Sequence, residues 1–164
     1  MRGIVLFLVV ALPVFSKAYA GSLDEAASKM AKVVGGNPFF LKVSAINLKV
    51  NAHLTYVEDQ QLFGLSEKWV GPEQSWQLAA GDCEEFVMLK EYFLLKAGIA
   101  PESMHYLIHN EHILLLVEHE DEALLLDNRT NVIKRVKADA DSLAKLPSRA
   151  DILARKRGLV AVAG

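Results

Sequence analysis

The only cysteine of the chain, Cys83, lies in a Gly-Asp-Cys-Glu segment at residues 81–84, directly before a strongly apolar helical pattern. Asp82 is a favourable N-cap, and Glu85 stands where the acid of a capping box reaches back to the amide of the cap. Cys83 is therefore predicted to be the first helical residue, where unpaired N–H groups and the helix dipole favour a thiolate. The segment indicates a nucleophile; the simpler alternative is a small buried side chain chosen for packing.

Acidic residues surround this cysteine, and their negative charge opposes ionisation of its thiol. Asp82 and Glu84 therefore need an explanation of their own. A bound cation would supply one, and calcium suits hard oxygen ligands best. Solvent-exposed acids that only cap the helix would supply another, and the residues themselves leave both explanations open.

Two residues farther along the chain could complete a catalytic set with the cysteine. His112 begins an aliphatic strand pattern, and Asp127 ends another one. If these strands pair beside the cysteine-bearing helix, the three side chains form a nucleophile, a base and a carboxylate that orients the base. The alternatives are a histidine at a strand edge that faces water and an aspartate that forms a turn.

The other histidines give weaker indications of function. His105, His109 and His112 are close enough in sequence to suggest a metal cluster, but no cysteine or carboxylate stands at a matching spacing for zinc. His53 and His119 are predicted to be ordinary surface residues.

Helical patterns precede the cysteine and strand patterns follow it. Ser22 and Glu25 form a capping-box pattern before a helix, and residues 39–57 have mixed periodicity whose length favours a second helix. The tail from Ala138 is predicted to be partly helical. Short apolar runs separated by polar turns predict antiparallel strands at residues 104–108, 112–118, 123–127 and 132–136. Helices followed by strands predict an α+β fold.

Residues 1–20 are predicted to be a signal peptide. Arg2 precedes a short apolar run that Pro13 interrupts, and Ala-Tyr-Ala at residues 18–20 has the form of a cleavage site. A retained membrane anchor is the weaker alternative. Residues 21–164 are long enough for a single domain with its own core.

Export strengthens the argument for a reactive cysteine. Outside the cytoplasm cysteines are usually paired, and a single one forms no internal disulfide. Retention of an oxidisable thiol there is best explained if the thiol does chemistry. The formal net charge of −2 gives no sign of a nucleic-acid partner.

The chain resembles the bacterial transglutaminase-like cysteine proteinases, which are periplasmic enzymes that cut giant surface adhesins and release biofilm cells. The resemblance is carried by Asn51, Tyr56, Asp59, Trp69, Pro72, the segment 81–84, Lys90, Gly98, His112 and the Leu-Asp-Asn at 126–128. It implies a papain-like, transglutaminase-like core in which N-terminal helices precede a central cysteine-bearing helix that packs on an antiparallel sheet.

The resemblance also implies the roles of individual residues. Cys83 would be the nucleophile, His112 its base and Asp127 the residue that orients the base. Asp82 and Glu84 match the calcium-binding motif of the family. The implied partners are a large adhesin as protein substrate and an inner-membrane receptor as regulator, in the periplasm.

Three positions depart from the family pattern. Glu85-Phe86 replaces the usual Asp-Tyr, and Gln74 replaces an acid. The leading hypothesis is a secreted cysteine endopeptidase that acts on an extended, small-residue segment. A transglutaminase or amidase, in which an amine resolves the thioester, is the second, and a binding module that retains only the fold is the third.

Overall fold

The computed structural model describes residues 21–137, Leu146 and Ile152 of the 164-residue chain. The predicted signal peptide lies outside these residues, and the predicted helical tail lies almost entirely outside them. The prediction of one domain over residues 21–164 therefore stays a prediction. In the described part of the chain, no helix is both long enough and apolar enough to cross a membrane.

Helices come first and strands second, as the sequence predicts. The helices are α1 (Leu23–Val34), α2 (Phe39–His53), α3 (Asp59–Phe63), α4 (Pro72–Leu78) and α5 (Cys83–Lys96), and a 3₁₀ turn follows at Pro101–Ser103. The strands are β1 (Thr55–Tyr56), β2 (Ala80–Gly81), β3 (Met104–His109), β4 (His112–His119), β5 (Glu122–Leu126) and β6 (Lys134–Lys137). The predicted α+β class is confirmed.

The N-terminal helices follow the sequence signals closely, with one difference. Ser22 caps α1 by accepting a hydrogen bond from the Glu25 amide at 3.2 Å. Helix α2 ends earlier than predicted, because Leu54 is extended and the chain then enters β1. The prediction that His53 is a surface residue is wrong, since its ring is buried and stacks on Trp76 with ring centroids 3.7 Å apart.

Helix α5 is the centre of the molecule. It packs against α1, α2 and α4 on one side and against β4 on the other. Its apolar residues Phe86, Leu89 and Phe93 are almost fully buried, which agrees with the broad apolar face of the sequence pattern. The helix begins at Cys83 as predicted, so the cysteine lies where the helical layer meets the sheet.

The four long strands form an antiparallel sheet in the order β3-β4-β5-β6. Strand β4 lies between β3 and β5, and its residues 112–117 are buried without alternation. In the register, Leu115 stands opposite Leu126. The start of β4 and the end of β5 therefore meet at one end of the sheet, which places His112 close to Asp127.

A short parallel pair, β1 with β2, brings the chain into α5. Tyr56 pairs with Gly81, the residue before the Asp82 cap. An alanine Cβ at Gly81 would lie 2.5 Å from Cβ of Glu85 and 2.7 Å from its Cγ. Only a glycine lets the backbone approach the first turn of α5 this closely.

Replacement of Gly81 by alanine should destabilise the protein. The added methyl group would collide with Glu85, and overpacking of this kind costs about 1–3 kcal/mol. Gly36→Ala is the matched control, because a Cβ there meets no atom within 4 Å. The measurement is the urea midpoint of each variant, and equal midpoints for the two would contradict the close approach at Gly81.

Glu85 should make the stability of the cation-free protein depend on pH. Its side chain is fully buried, and this burial raises the pKa of its carboxyl above the ordinary value. The folded state then binds the Glu85 proton more tightly than the unfolded chain does. The stability that this proton contributes is fully present below the unfolded pKa. It is lost as the pH rises through the folded pKa.

Urea unfolding in excess EGTA should therefore show a free energy of unfolding that falls between about pH 5 and about pH 8. Glu85→Gln should flatten that slope, whatever it does to the absolute stability. Glu102→Gln, on an exposed turn, is the control and should keep the wild-type slope. An unchanged slope in Glu85→Gln would assign the effect to other groups.

Candidate active site

Cys83 is held at the junction of α5 and β4. Its side chain is buried, and its Sγ lies 3.0 Å from Oε2 of Glu84 as a hydrogen-bond donor. The sulfur also has the backbone amide of Ile113 as a hydrogen-bond partner. Since Ile113 follows His112 directly, this contact joins the start of the helix to the start of the strand.

The thiol of Cys83 is strongly protonated in this arrangement. Burial and then the negative charge of Glu84 raise its pKa to about 12, while the Ile113 amide acts in the opposite direction. The helix N-terminus alone would favour a thiolate. Desolvation and the neighbouring carboxylates therefore raise the thiol pKa by more than the helix dipole lowers it. The acidic residues around Cys83 in the sequence suggest the same direction.

His112 and Asp127 form a direct pair at the end of the sheet. Nε2 of His112 lies 2.9 Å from Oδ1 of Asp127. The same carboxylate oxygen accepts a hydrogen bond from the Arg129 amide at 2.9 Å. Burial acts to raise the pKa of Asp127, but these bonds and the charge of Lys90 hold it below the ordinary value.

The loop that carries Asp127 is tied back to the helical layer. Nδ2 of Asn51, on α2, donates to the carbonyl oxygens of Asp127 at 3.0 Å and Thr130 at 3.2 Å. It also lies 3.0 Å from Oδ1 of Asn131. One amide group thereby fixes the turn after β5, and with it the direction of the Asp127 side chain.

The structure thus brings the three predicted catalytic residues to one region. His112 and Asp127 are bonded to each other, and Cys83 contacts the residue next to His112. In the described part of the chain, however, the side-chain hydrogen-bond partner of the thiol is Glu84 and not His112. The catalytic roles of Cys83, His112 and Asp127 stay predictions.

Carboxylates cluster beside the cysteine. Oxygens of Asp59, Asp82 and Glu85 lie within 4.8 Å of one another, and a second group of the same tightness joins Asp82, Cys83 and Glu84. Burial, followed by its hydrogen bond with Glu84, raises the pKa of Asp82. These residues are those that could hold a cation. The zinc alternative finds no support among the described residues, where His105 pairs with Glu118 instead.

Each acid in the cluster is also held by the protein. Oε1 of Glu85 accepts from the Val70 amide at 3.0 Å, and its Oε2 accepts from the Asp82 amide at 3.1 Å. Oε1 of Glu84 accepts from Nε1 of Trp69 at 3.0 Å. Asp59 accepts from the amide of Lys68. The carboxylates are therefore pre-positioned rather than loosely solvated.

The sequence indicated only part of this cluster. Asp82 and Glu84 were predicted as metal ligands, whereas Glu85 was predicted only as a capping acid and Asp59 had no assigned role. Glu85 does form the predicted capping box. The position of Asp59 depends on the β1–β2 pairing, and strands of two residues leave no periodic signal in a sequence.

A cleft of about 530 Å³ opens at Cys83. Its acidic lining consists of Glu58, Asp59, Glu67, Asp82, Glu84 and Glu111, and its apolar lining includes Tyr56, Trp69, Ile108 and Ile113. The cleft reaches the cysteine from outside, so an extended chain segment or a hydrated cation has access to the site.

Comparisons with known proteins agree with this geometry. The chain matches the family described as bacterial transglutaminase-like cysteine proteinase over residues 11–152. Among solved structures it is similar to LapG of Legionella pneumophila, with a TM-score of 0.57 and 22% identity over 80% of this chain and 76% of that chain. No curated protein sequence matches the chain.

Two further structures of LapG from Legionella pneumophila give nearly the same result. The calcium-bound form has a TM-score of 0.56 with coverage of 80% and 76%, and the EGTA-treated form has 0.55 with coverage of 80% and 74%. Both are 22% identical to this chain. At this identity the likeness concerns the fold.

The family match spans the whole region from α1 to β6 and includes Cys83, His112 and Asp127. Together with the likeness to LapG, it confirms the transglutaminase-like core that the sequence predicts. The chain belongs to the bacterial transglutaminase-like cysteine proteinases and is a transglutaminase-like cysteine peptidase.

Proposed function

We propose that Cys83, His112 and Asp127 form the catalytic triad of this peptidase and that it cuts a large surface adhesin in the periplasm. The observation that carries the proposal is the meeting of α5 with β4. The sulfur of the only cysteine contacts the residue after His112, and His112 is bonded to Asp127. This arrangement supports Cys83 as the nucleophile, His112 as the base and Asp127 as the orienting carboxylate.

In the proposed mechanism each side chain has its own task. Asp127 engages Nε2 of His112, which leaves Nδ1 as the ring nitrogen for the thiol. Nδ1 takes the thiol proton while sulfur attacks the peptide carbonyl, and His112 then returns the proton to the leaving amine. Water resolves the thioester with His112 again as base. In this proposal, backbone amides at the start of α5, including that of Cys83, stabilise the oxyanion.

This cycle requires the thiol to exchange its partner. In the structure Cys83 donates to Glu84, and a proton held there does not pass to His112. Engagement of the Glu84 carboxylate by another group would free the thiol. The state of the acidic cluster therefore decides whether the Cys83 thiol can pass its proton to His112.

We propose calcium as that group, held by Asp82 and Glu84, with Asp59 and Glu85 in the same cluster. The residues present fit such an ion, because Asp59, Asp82 and Glu85 form a tight, pre-positioned group of hard carboxylate oxygens, and Glu84 lies next to Asp82. Burial and the neighbouring acids raise the pKa of Asp82, and a bound cation would stabilise its charged form. Bound calcium would supply positive charge beside the thiol. The calcium-bound form of LapG supports this choice of ion.

The proposed substrate, partner and location are those that the resemblance to the family suggests. The substrate is an extended, small-residue segment of a large adhesin, which fits a cleft that is open at Cys83. An inner-membrane receptor is the proposed regulator. The proposed location is the periplasm, reached through the signal peptide at residues 1–20.

Loss of any member of the triad should stop cleavage while the fold is retained. Cys83→Ala and His112→Ala should each lower kcat/KM for a candidate adhesin fragment by about 10³-fold or more. Asp127→Asn should also lower it strongly, because it leaves the imidazole in the wrong tautomer. His109→Ala is the matched control, since this histidine faces His112 across β3 and β4 but is exposed.

The measurement is fragment cleavage followed by gel and mass spectrometry, with dansylcadaverine incorporation assayed in parallel. Cleavage without incorporation supports the peptidase. Incorporation that exceeds cleavage would favour transglutaminase chemistry. Full cleavage by Cys83→Ala would overturn the assignment of the nucleophile.

Activity should fall on chelation and return with calcium. Magnesium should restore it poorly, because its smaller shell demands stricter octahedral geometry. Titration calorimetry should detect calcium binding to the wild type but not to Asp82→Asn or Glu84→Gln. Glu102→Gln, on the exposed turn before β3, should bind as the wild type does. Full activity in excess EGTA with no binding heat would show that the acids serve only as caps.

A further inference from the structure

Lys90 is a charged residue in the core that the catalytic cycle above does not use. It lies on α5 two turns after Cys83 and therefore on the same face of the helix. Its exposed fraction is 0%, and its Nζ has no hydrogen-bond partner in the described part of the chain. The ring of Phe86 lies 5.9 Å from the ammonium, which is a weak contact at best.

Such an arrangement is unfavourable for stability. Burial of an ammonium without hydrogen bonds costs several kilocalories per mole, and an apolar side chain of similar volume would pack in its place without that cost. Burial lowers the pKa of Lys90 to about 7. A role in packing alone therefore does not account for a lysine at this position.

The carboxylate of Asp127 is the charge that acts on Lys90. It raises the pKa of the ammonium against the effect of burial, and Lys90 in turn lowers the pKa of Asp127. Because Lys90 is fully buried, its attraction to this carboxylate is screened less than that of a surface pair. Asp127 is thus hydrogen-bonded to His112 and to the Arg129 amide. Lys90, on helix α5, attracts the same carboxylate electrostatically.

We propose that Lys90 is a positioning residue, whose buried and otherwise unbonded ammonium holds the Asp127 carboxylate in its direction toward Nε2 of His112. The proposal rests on the triad proposed above. Lys90 is absent from the lining of the cleft at Cys83, so it acts through Asp127 and not on the substrate.

The first test is Lys90→Met, which keeps the apolar stem and removes the charge. It should lower kcat for the adhesin fragment by about 10-fold or more, since part of the general-base contribution is lost, and leave KM within about 2-fold. The urea midpoint should be unchanged or higher, because an unpaired buried charge is removed. Lys96→Met, at the exposed end of the same helix, is the control and should retain wild-type kcat.

A double-mutant cycle separates positioning from packing. If Lys90 acts through Asp127, Lys90→Met in the Asp127→Asn background should change kcat by less than about 2-fold. Equal effects in both backgrounds would overturn the proposal, as would a wild-type kcat in Lys90→Met. Loss of cooperative unfolding in Lys90→Met would assign Lys90 a structural role and would also overturn it.

A spectroscopic readout is independent of turnover. In a Cys83→Ala background, the ring N–H proton of His112 that bonds to Asp127 should give a downfield proton resonance, and Lys90→Met should shift it upfield or broaden it. An unchanged resonance would count against Lys90 as a positioning residue. If Cys83→Ala itself retains full cleavage, the proposed triad fails, whereas the resonance still reports whether Lys90 acts on the Asp127–His112 pair.

Discussion

The burial of the Glu85 carboxylate at the first turn of α5 is the constraint on which the site depends. Its two oxygens accept the amides of Val70 and Asp82, so one side chain fixes both the loop before α4 and the cap of α5. The same side chain fills the space that Gly81 leaves open. Because Cys83 follows the cap directly, its position relative to the sheet is set by this buried acid.

The second half of the site is built on the sheet and is positioned by register. The pairing of Leu115 with Leu126 sets His112 beside Asp127, and Asn51 then joins the following loop to α2. The two halves of the site meet where the Cys83 sulfur contacts the Ile113 amide. A site divided in this way lets the thiol change its partner without movement of the His112–Asp127 pair.

The sequence predicted the parts of the molecule that have a local signature. The cap at Asp82, the start of α5 at Cys83 and the order of helices and strands all follow from capping residues and periodicity. The early end of α2 and the short α3 and α4 were missed, because a few turns without a clear apolar face leave weak patterns. The burial of His53 was missed for another reason, since its partner Trp76 lies on a different helix.

The electrostatic partners of the buried charged residues could not be predicted from the sequence periodicity. Glu85, Lys90 and Glu91 stand on a helix whose apolar pattern predicts a buried element, yet a sequence does not say which charged residue finds a partner in the core. Glu91 accepts a hydrogen bond from Tyr106 at 2.6 Å and Glu85 accepts two backbone amides, so both are compensated locally. Among the described residues, Lys90 has only the charge of Asp127 and a weak contact with the ring of Phe86. The apolar core around α5 must therefore stabilise the fold by more than the burial of this ammonium destabilises it. Such a cost is expected where a core residue serves a site rather than the fold.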